Sequence, residues 1–364
     1  MKTRNSNLEL LRIISIVMIV ISHYSIHNGV STYLLDFGFN KIFLGAITLG
    51  DIGSIIFVLI SGYYLVHDKK FKLSKLVKLL LQILFYSISI FLVLSLIDKN
   101  YFSFKSLIKA LLPISFNQYW FASCYAVLFV FHTYINKLLD SLTRKEHLKL
   151  IIISLLIFSI FHMITTSNYY GNDLIQFIMF YIIGAYFGKY DATIFSNKKL
   201  DYIILALSFV IIISSIIVFE LLGIKYPIFS VHARYLLNRT SIFSILIGIS
   251  LLNIFKSKKE KHNKYINLLA STVFGVYLIS DNNYIRKILW MDLLKNSLFV
   301  NSSFILLHLL ISLVIVFAFC MLIELVRINT IDKQYNNYLS PVIDKLQSKI
   351  SSLYEKKAGV YNEE

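Results

Sequence analysis

The sequence predicts an all-α, polytopic membrane protein of about ten transmembrane helices, with the N- and C-termini cytoplasmic. Composition gives the class: 57% of the 364 residues are hydrophobic and 15% charged, with a mean hydropathy of +0.69, whereas a soluble domain carries roughly 25% charged residues. Patterning gives the helices. Apolar blocks run to about twenty residues, enough to cross a ~30 Å hydrocarbon core as a helix, and runs such as IIISLLIF and VIIISSIIV lack the ~10-residue alternation of barrel strands. Charge placement gives the orientation. With the N-terminus inside, 26 of the 36 Lys and Arg fall on the cytoplasmic side and 10 outside, the bias of the positive-inside rule. This placement also explains the net charge of +16. The charges are scattered over membrane-flanking loops rather than gathered on one domain, so nucleic acid is not an expected partner.

The first span, 7–27, ends in SHYSIHNG rather than a small-residue cleavage site, so a retained helix is expected. The second, 43–66, closes on ISGYYL and leads into Lys69, Lys70, Lys72, Lys75 and Lys78. Span three is 76–97. The apolar segment 106–114 is too short to cross and is expected to be re-entrant or interfacial. Spans four to ten are 119–139, 149–166, 173–189, 202–222, 238–255, 266–281 and 303–326. Residues 1–330 thus form a membrane-embedded domain and 331–364 a polar cytoplasmic tail, partly helical in pattern. No internal repeat stands out, which argues against an inverted-repeat transporter. Cys124 and Cys320 lie within spans and form neither a disulfide framework nor a zinc spacing. No HExxH, paired cysteine, GxSxG or phosphate-binding glycine loop occurs, so no metal is expected.

Ionisable groups inside spans face a protein interior or a wet cavity. In the first span Glu9, Arg12, Ile16, Ile19 and His23 recur at helical spacing. Arg12 and His23 lie within ~20° on the helix wheel and ~16 Å apart along the axis. A snorkelling arginine and a structural histidine would look the same in sequence. Lys72, Lys75 and Lys78 would form a strip able to hold phosphates, although ordinary positive-inside charge accounts for them equally. Tyr119 and Trp120 open the fourth span, where an interfacial aromatic belt and a sugar-stacking platform are both readings. In the loop 230–240, Arg234 and Arg239 stand on the side with few cations, where an anionic lipid or a charged acceptor would give them a reason. Asp281 closes the ninth span near Arg286 and could orient His23 or pair with that arginine. His132, His162 and His308 stand alone on apolar helices and read as satisfied core residues. His67, His147 and His262 are placed in cytoplasmic loops.

Four motifs occur in register: RNxxLExLR followed by His23 in span one, FVLISGYYL with basic residues after it, YWF at the start of span four, and FGVYLIS in span nine. Together they resemble the acyltransferase-3 family, bacterial integral membrane acyltransferases many of which O-acetylate cell-surface polysaccharides. The resemblance runs over roughly residues 4–285. It implies a bacterial plasma-membrane enzyme that binds no permanent cofactor, takes acetyl-CoA as donor and a glycan or lipid-linked glycan as acceptor. It assigns catalysis to His23, with Glu9 and Arg12, and donor binding to Arg4, Arg12, Lys72 and Lys75. Tyr119, Trp120, Arg234 and Asp281 are the expected acceptor-side residues. Two departures stand out. Lysines replace the family's basic pair, often Arg-x-x-Arg, and bind phosphate only as point charges. Ser280 and Asp281 stand where many members carry a histidine. The alternative function is a transporter or flippase of a lipid-linked glycan.

Overall fold

The computed structural model describes residues 5–165, 172–190 and 198–360, and these are helical with no strand among them. Among the described residues each of the ten apolar segments is largely helical, the second being divided between two helices. Seven helical stretches among the described residues are long and apolar enough to cross a membrane, and Lys264–Ser280 is apolar but shorter.

Local chemistry sets the helix starts. The Asn5 side chain accepts from the Asn7 amide and opens α1 (Ser6–Ile26). The short α2 (Phe39–Ala46) leads into α3 (Gly50–Leu65), then α4 (Leu73–Ile97). The apolar piece before span four is α5 (Phe104–Leu111), eight residues capped by Ser103 and packed on α4; at 1.5 Å per residue it is too short to span. It is followed by α6 (Trp120–Ser141). A capping box, Thr143 with Glu146, starts α7 (Arg144–Leu155). His147 is therefore helical and fully buried, bonded to the Ile182 carbonyl at 3.0 Å, rather than in a loop. A π-helical stretch, Leu156–Phe161, joins α7 to α8 (His162–Thr165). Next come α9 (Asp173–Tyr190), α10 (Lys198–Lys225) and the short α11 (Pro227–Val231). Ser241 caps α12 (Ile242–Lys256), and Asn263 accepts from two amides at the start of α13 (Lys264–Ser280). After α14 (Asn283–Lys287), α15 (Ile305–Arg327) passes through π-helical turns into α16 (Ser340–Val360).

The helices form two layers. α1, α3, α9, α12 and α13 pack on one another inside, and every α3 residue from Ile52 to Gly62 is buried. α4, α7, α10 and α15 lie outside and expose Leu92, Leu96, Leu207, Val210, Leu310 and Val314, the apolar surface that a lipid-facing helix needs. Lipid supplies no hydrophobic drive between helices, so the inner pairs rely on close backbone approach at small residues. A Cβ at Gly184 would strike the Leu59 backbone oxygen, and one at Gly62 the Tyr181 oxygen. Gly184→Leu should therefore cost about 1–3 kcal/mol or more through overpacking, read as a lowered thermal midpoint in detergent. Gly38→Ala, at a site with open space around it, should leave the midpoint unchanged. Equal midpoints for Gly184→Leu and wild type would exclude the tight α3–α9 contact.

The tail continues α15 and docks on the start of α4. The Tyr335 hydroxyl donates to the Ser74 carbonyl at 2.6 Å, and Gln347 accepts from the Leu73 amide at 2.9 Å while donating to the Phe71 carbonyl at 2.6 Å. The residues after the last span thus join the body at the connection that carries Lys72.

Candidate active site

His23 lies on the last turn of α1, where the C-terminal ends of α1 and α13 meet the N-terminal ends of α3, α6 and α12. A cavity of about 420 Å³ opens there, lined by His23, Ser22, Thr48, Asp51, Trp120, Arg234, Arg239 and Tyr277 among others. That volume is in the range, roughly 300–1,000 Å³, of sites for small organic ligands.

Behind the imidazole stands Asp281, 1% exposed, its Oδ1 3.2 Å from His23 Nε2. The same oxygen accepts from Arg286 Nε at 2.9 Å and Nη2 at 2.8 Å. An ionised Asp281 holds the ring with its proton on Nε2. Nδ1, which is buried with no partner among the described residues, keeps its lone pair. This is the arrangement in which a carboxylate orients an imidazole as a base. Asp281 thus sits behind the cavity wall, in contact with both His23 and Arg286.

Tyr119 is likewise set back from the cavity, 1% exposed, and its hydroxyl accepts from the Asn282 amide at 2.6 Å. Trp120 is on the wall. One face of its indole is covered by Arg239, whose guanidinium lies 4.5 Å from the ring centroid, so that face is closed to a sugar. Arg239 is itself bound to Asp51, at 3.4 Å, and to Asp173. These contacts tie α3, α6, α9 and the start of α12 together at the mouth.

Glu9 and Arg12 occupy the opposite end of α1. Arg12 Nη1 is 3.0 and 2.8 Å from the two Glu9 oxygens and lies over the Phe57 ring at 5.9 Å. At 1.5 Å per residue Arg12 is ~16 Å and Glu9 ~21 Å below His23, so neither touches the imidazole. Lys75 pairs with Asp68 at 2.9 Å, and Lys72 is exposed at the start of α4. Arg4 lies outside the described residues.

A family model described as an acyltransferase domain, acyltransferase-3, matches residues 5–325. The chain belongs to the acyltransferase-3 family. No curated protein and no solved structure matches it. The match covers all of the spans, and it decides for acyl transfer over glycan translocation.

The cavity of this acyltransferase and its surroundings also hold residues that the sequence did not single out. His27 lies beside His23 with ring centroids 5.3 Å apart; its signal is the i, i+4 spacing, which puts two residues on one helix face. Asp51 and Asn238 reach the cavity from loops and a helix start, and carried no signal. His23, His27 and Asp281 place three possible ligand atoms within 4.8 Å of one another, a donor set that suits a divalent ion by type. Arg286, however, donates twice to the carboxylate oxygen such an ion would use, and its charge repels a cation. In this acyltransferase the cluster fits a base held in one orientation better than a metal centre.

Proposed function

We propose that this membrane acyltransferase moves an acetyl group from cytoplasmic acetyl-CoA to a hydroxyl of a cell-surface glycan in the bacterial plasma membrane, with His23 as general base. The observation that carries the reading is the imidazole on the cavity wall, with Nε2 held by Asp281 and the buried Nδ1 left without a partner among the described residues. An acceptor hydroxyl that reaches Nδ1 from the cavity gives up its proton as its oxygen attacks the thioester carbon. The carbon–sulfur bond breaks, and the imidazolium returns the proton to the departing thiolate. The basic residues cluster on the Arg12 side of the bundle, which favours donor entry from the cytoplasm. Lys72, Lys75, Arg12 and Arg4 would hold the nucleotide phosphates there. The pantetheine arm would then run up α1 over the ~16 Å to His23. Trp120, Arg234 and the hydroxyl-bearing wall would face the acceptor.

The test is transfer of radiolabelled acetyl from acetyl-CoA to surface glycan taken from cells lacking this protein, with the purified protein in lipid nanodiscs. Label in the glycan, removed by mild alkali, is expected. A Lys72→Gln, Lys75→Gln variant should raise the KM for acetyl-CoA by roughly three- to tenfold, an effect that shrinks in high salt. An unchanged KM would reduce those lysines to topology. No label in any glycan fraction would overturn the acetyl-CoA reading.

A further inference from the structure

We propose that the acceptor is an anionic glycan, carrying a carboxylate or phosphodiester next to the reacting sugar, and that Arg234 recognises that group. The inference rests on reading the His23 cavity as the acceptor site.

A second cavity, of about 220 Å³, is lined by Ser25, Ser31, Thr32, Tyr33 and Arg234 among others. Arg234 and Ile26 line both cavities. The two therefore adjoin, and a chain bound at His23 would run past Arg234 into a wall rich in hydroxyls.

Three other cations around the two cavities are committed. Arg239 holds Asp51 and Asp173, Arg286 holds Asp281, and the buried Lys41 holds Glu220 at 3.0 Å. The Arg234 guanidinium has no hydrogen-bond or ion-pair partner among the described residues. The carboxylate whose field reaches it, Glu220, already accepts from Lys41 and from Ser230. A half-buried guanidinium without a counter-charge is unfavourable until an anion arrives, and its planar fork matches carboxylate and phosphate oxygens.

The support around Arg234 is rigid. Its neighbour Ala233 is buried, the Tyr235 hydroxyl donates to the Met163 carbonyl at 2.7 Å, and the Leu237 amide donates to the Arg234 carbonyl at 2.9 Å. Lys41, Glu220 and Ser230 pin α2, α10 and α11 beneath it. The side chain is thus presented to both cavities from an ordered loop, as a specificity residue needs.

The experiment uses the purified full chain and three probes: tetragalacturonate, a glycerol-phosphate oligomer, and neutral maltotetraose. Without donor, at least one anionic probe should raise the thermal midpoint of the wild type and maltotetraose should not; which anion acts identifies carboxylate or phosphodiester. Arg234→Gln should lose the shift, and Arg234→Lys should keep part of it. With acetyl-CoA, Arg234→Gln should raise the KM for the effective anionic acceptor by about tenfold or more, with little change in the KM for acetyl-CoA. Equal stabilisation by neutral and anionic probes, no stabilisation by either anion, or an unaltered shift in Arg234→Gln would each overturn the proposal. Should Arg234→Gln not fold, the wild type's preference between probes decides. An anion shift without acetyl transfer would support anion recognition and count against the acetyl-CoA donor instead.

Discussion

Replacing His23 by alanine is expected to lower acetyl transfer by about 10²–10⁴-fold, the usual contribution of a positioned general base, while the protein still reaches the membrane and elutes as a single species in detergent. The folded state should persist because the imidazole faces a cavity: its Nδ1 supports no other group, and without it Asp281 still accepts twice from Arg286. Asp281→Asn tests the same geometry from behind. Arg286 donates to the oxygen that faces Nε2, so the amide keeps its carbonyl there and holds the tautomer, but it lacks the negative charge that stabilises the imidazolium. Transfer should fall, by less than in the alanine variant, with the KM for acetyl-CoA little altered. Transfer at the wild-type rate by His23→Ala, measured with radiolabelled donor, would remove His23 from the mechanism.

The largest stability effect is expected at Glu324, far from this cavity. Glu324 is fully buried on α15. Its Oε2 accepts from the Tyr86 hydroxyl at 2.5 Å and from Arg327 Nε at 2.8 Å. Its Oε1 accepts from Gln82 at 2.9 Å and from Arg327 Nη2 at 2.8 Å. Arg327 also binds Asp332, which pairs with Lys78 at 3.0 Å. The network thus joins α4, α15 and the start of the tail. A Cβ at Gly275 would run into the Glu324 carboxyl, so the bare α13 backbone makes the space for this acid. Glu324→Ala strips a buried guanidinium of its main partner and should cost about 3–5 kcal/mol. Reversible unfolding in mixed micelles measures it. The paired replacement of Glu324 and Arg327 by leucine should cost less than the single change, since no orphaned charge remains. A loss below 1 kcal/mol for Glu324→Ala would show that the network contributes little.

How far the sequence reached differs from residue to residue. The helices were legible because hydrocarbon tolerates no unpaired backbone, so a twenty-residue apolar run has only one way to bury its amides. His23 and Arg12 were legible for the related reason that ionisable groups inside such a run demand a setting. The same logic applied to LIELVR would have marked Glu324 and Arg327, an acid and a base three residues apart at the end of an apolar run. His147 was misplaced because Thr143 and Glu146, polar residues that read as loop, close a capping box and begin the helix one turn earlier.

By itself the sequence determined that the chain is helical, membrane-crossing and of the acyltransferase-3 family, since those follow from local apolar periodicity and from motifs in order. Only the tertiary structure decided which polar side chains meet. Asp281 reaches His23 across 258 positions of chain, Asp51 and Asp173 converge on Arg239, and Arg234 is left without a counter-charge where two cavities adjoin. Nothing in local spacing encodes those meetings, because each brings together side chains from helices and loops far apart in the sequence.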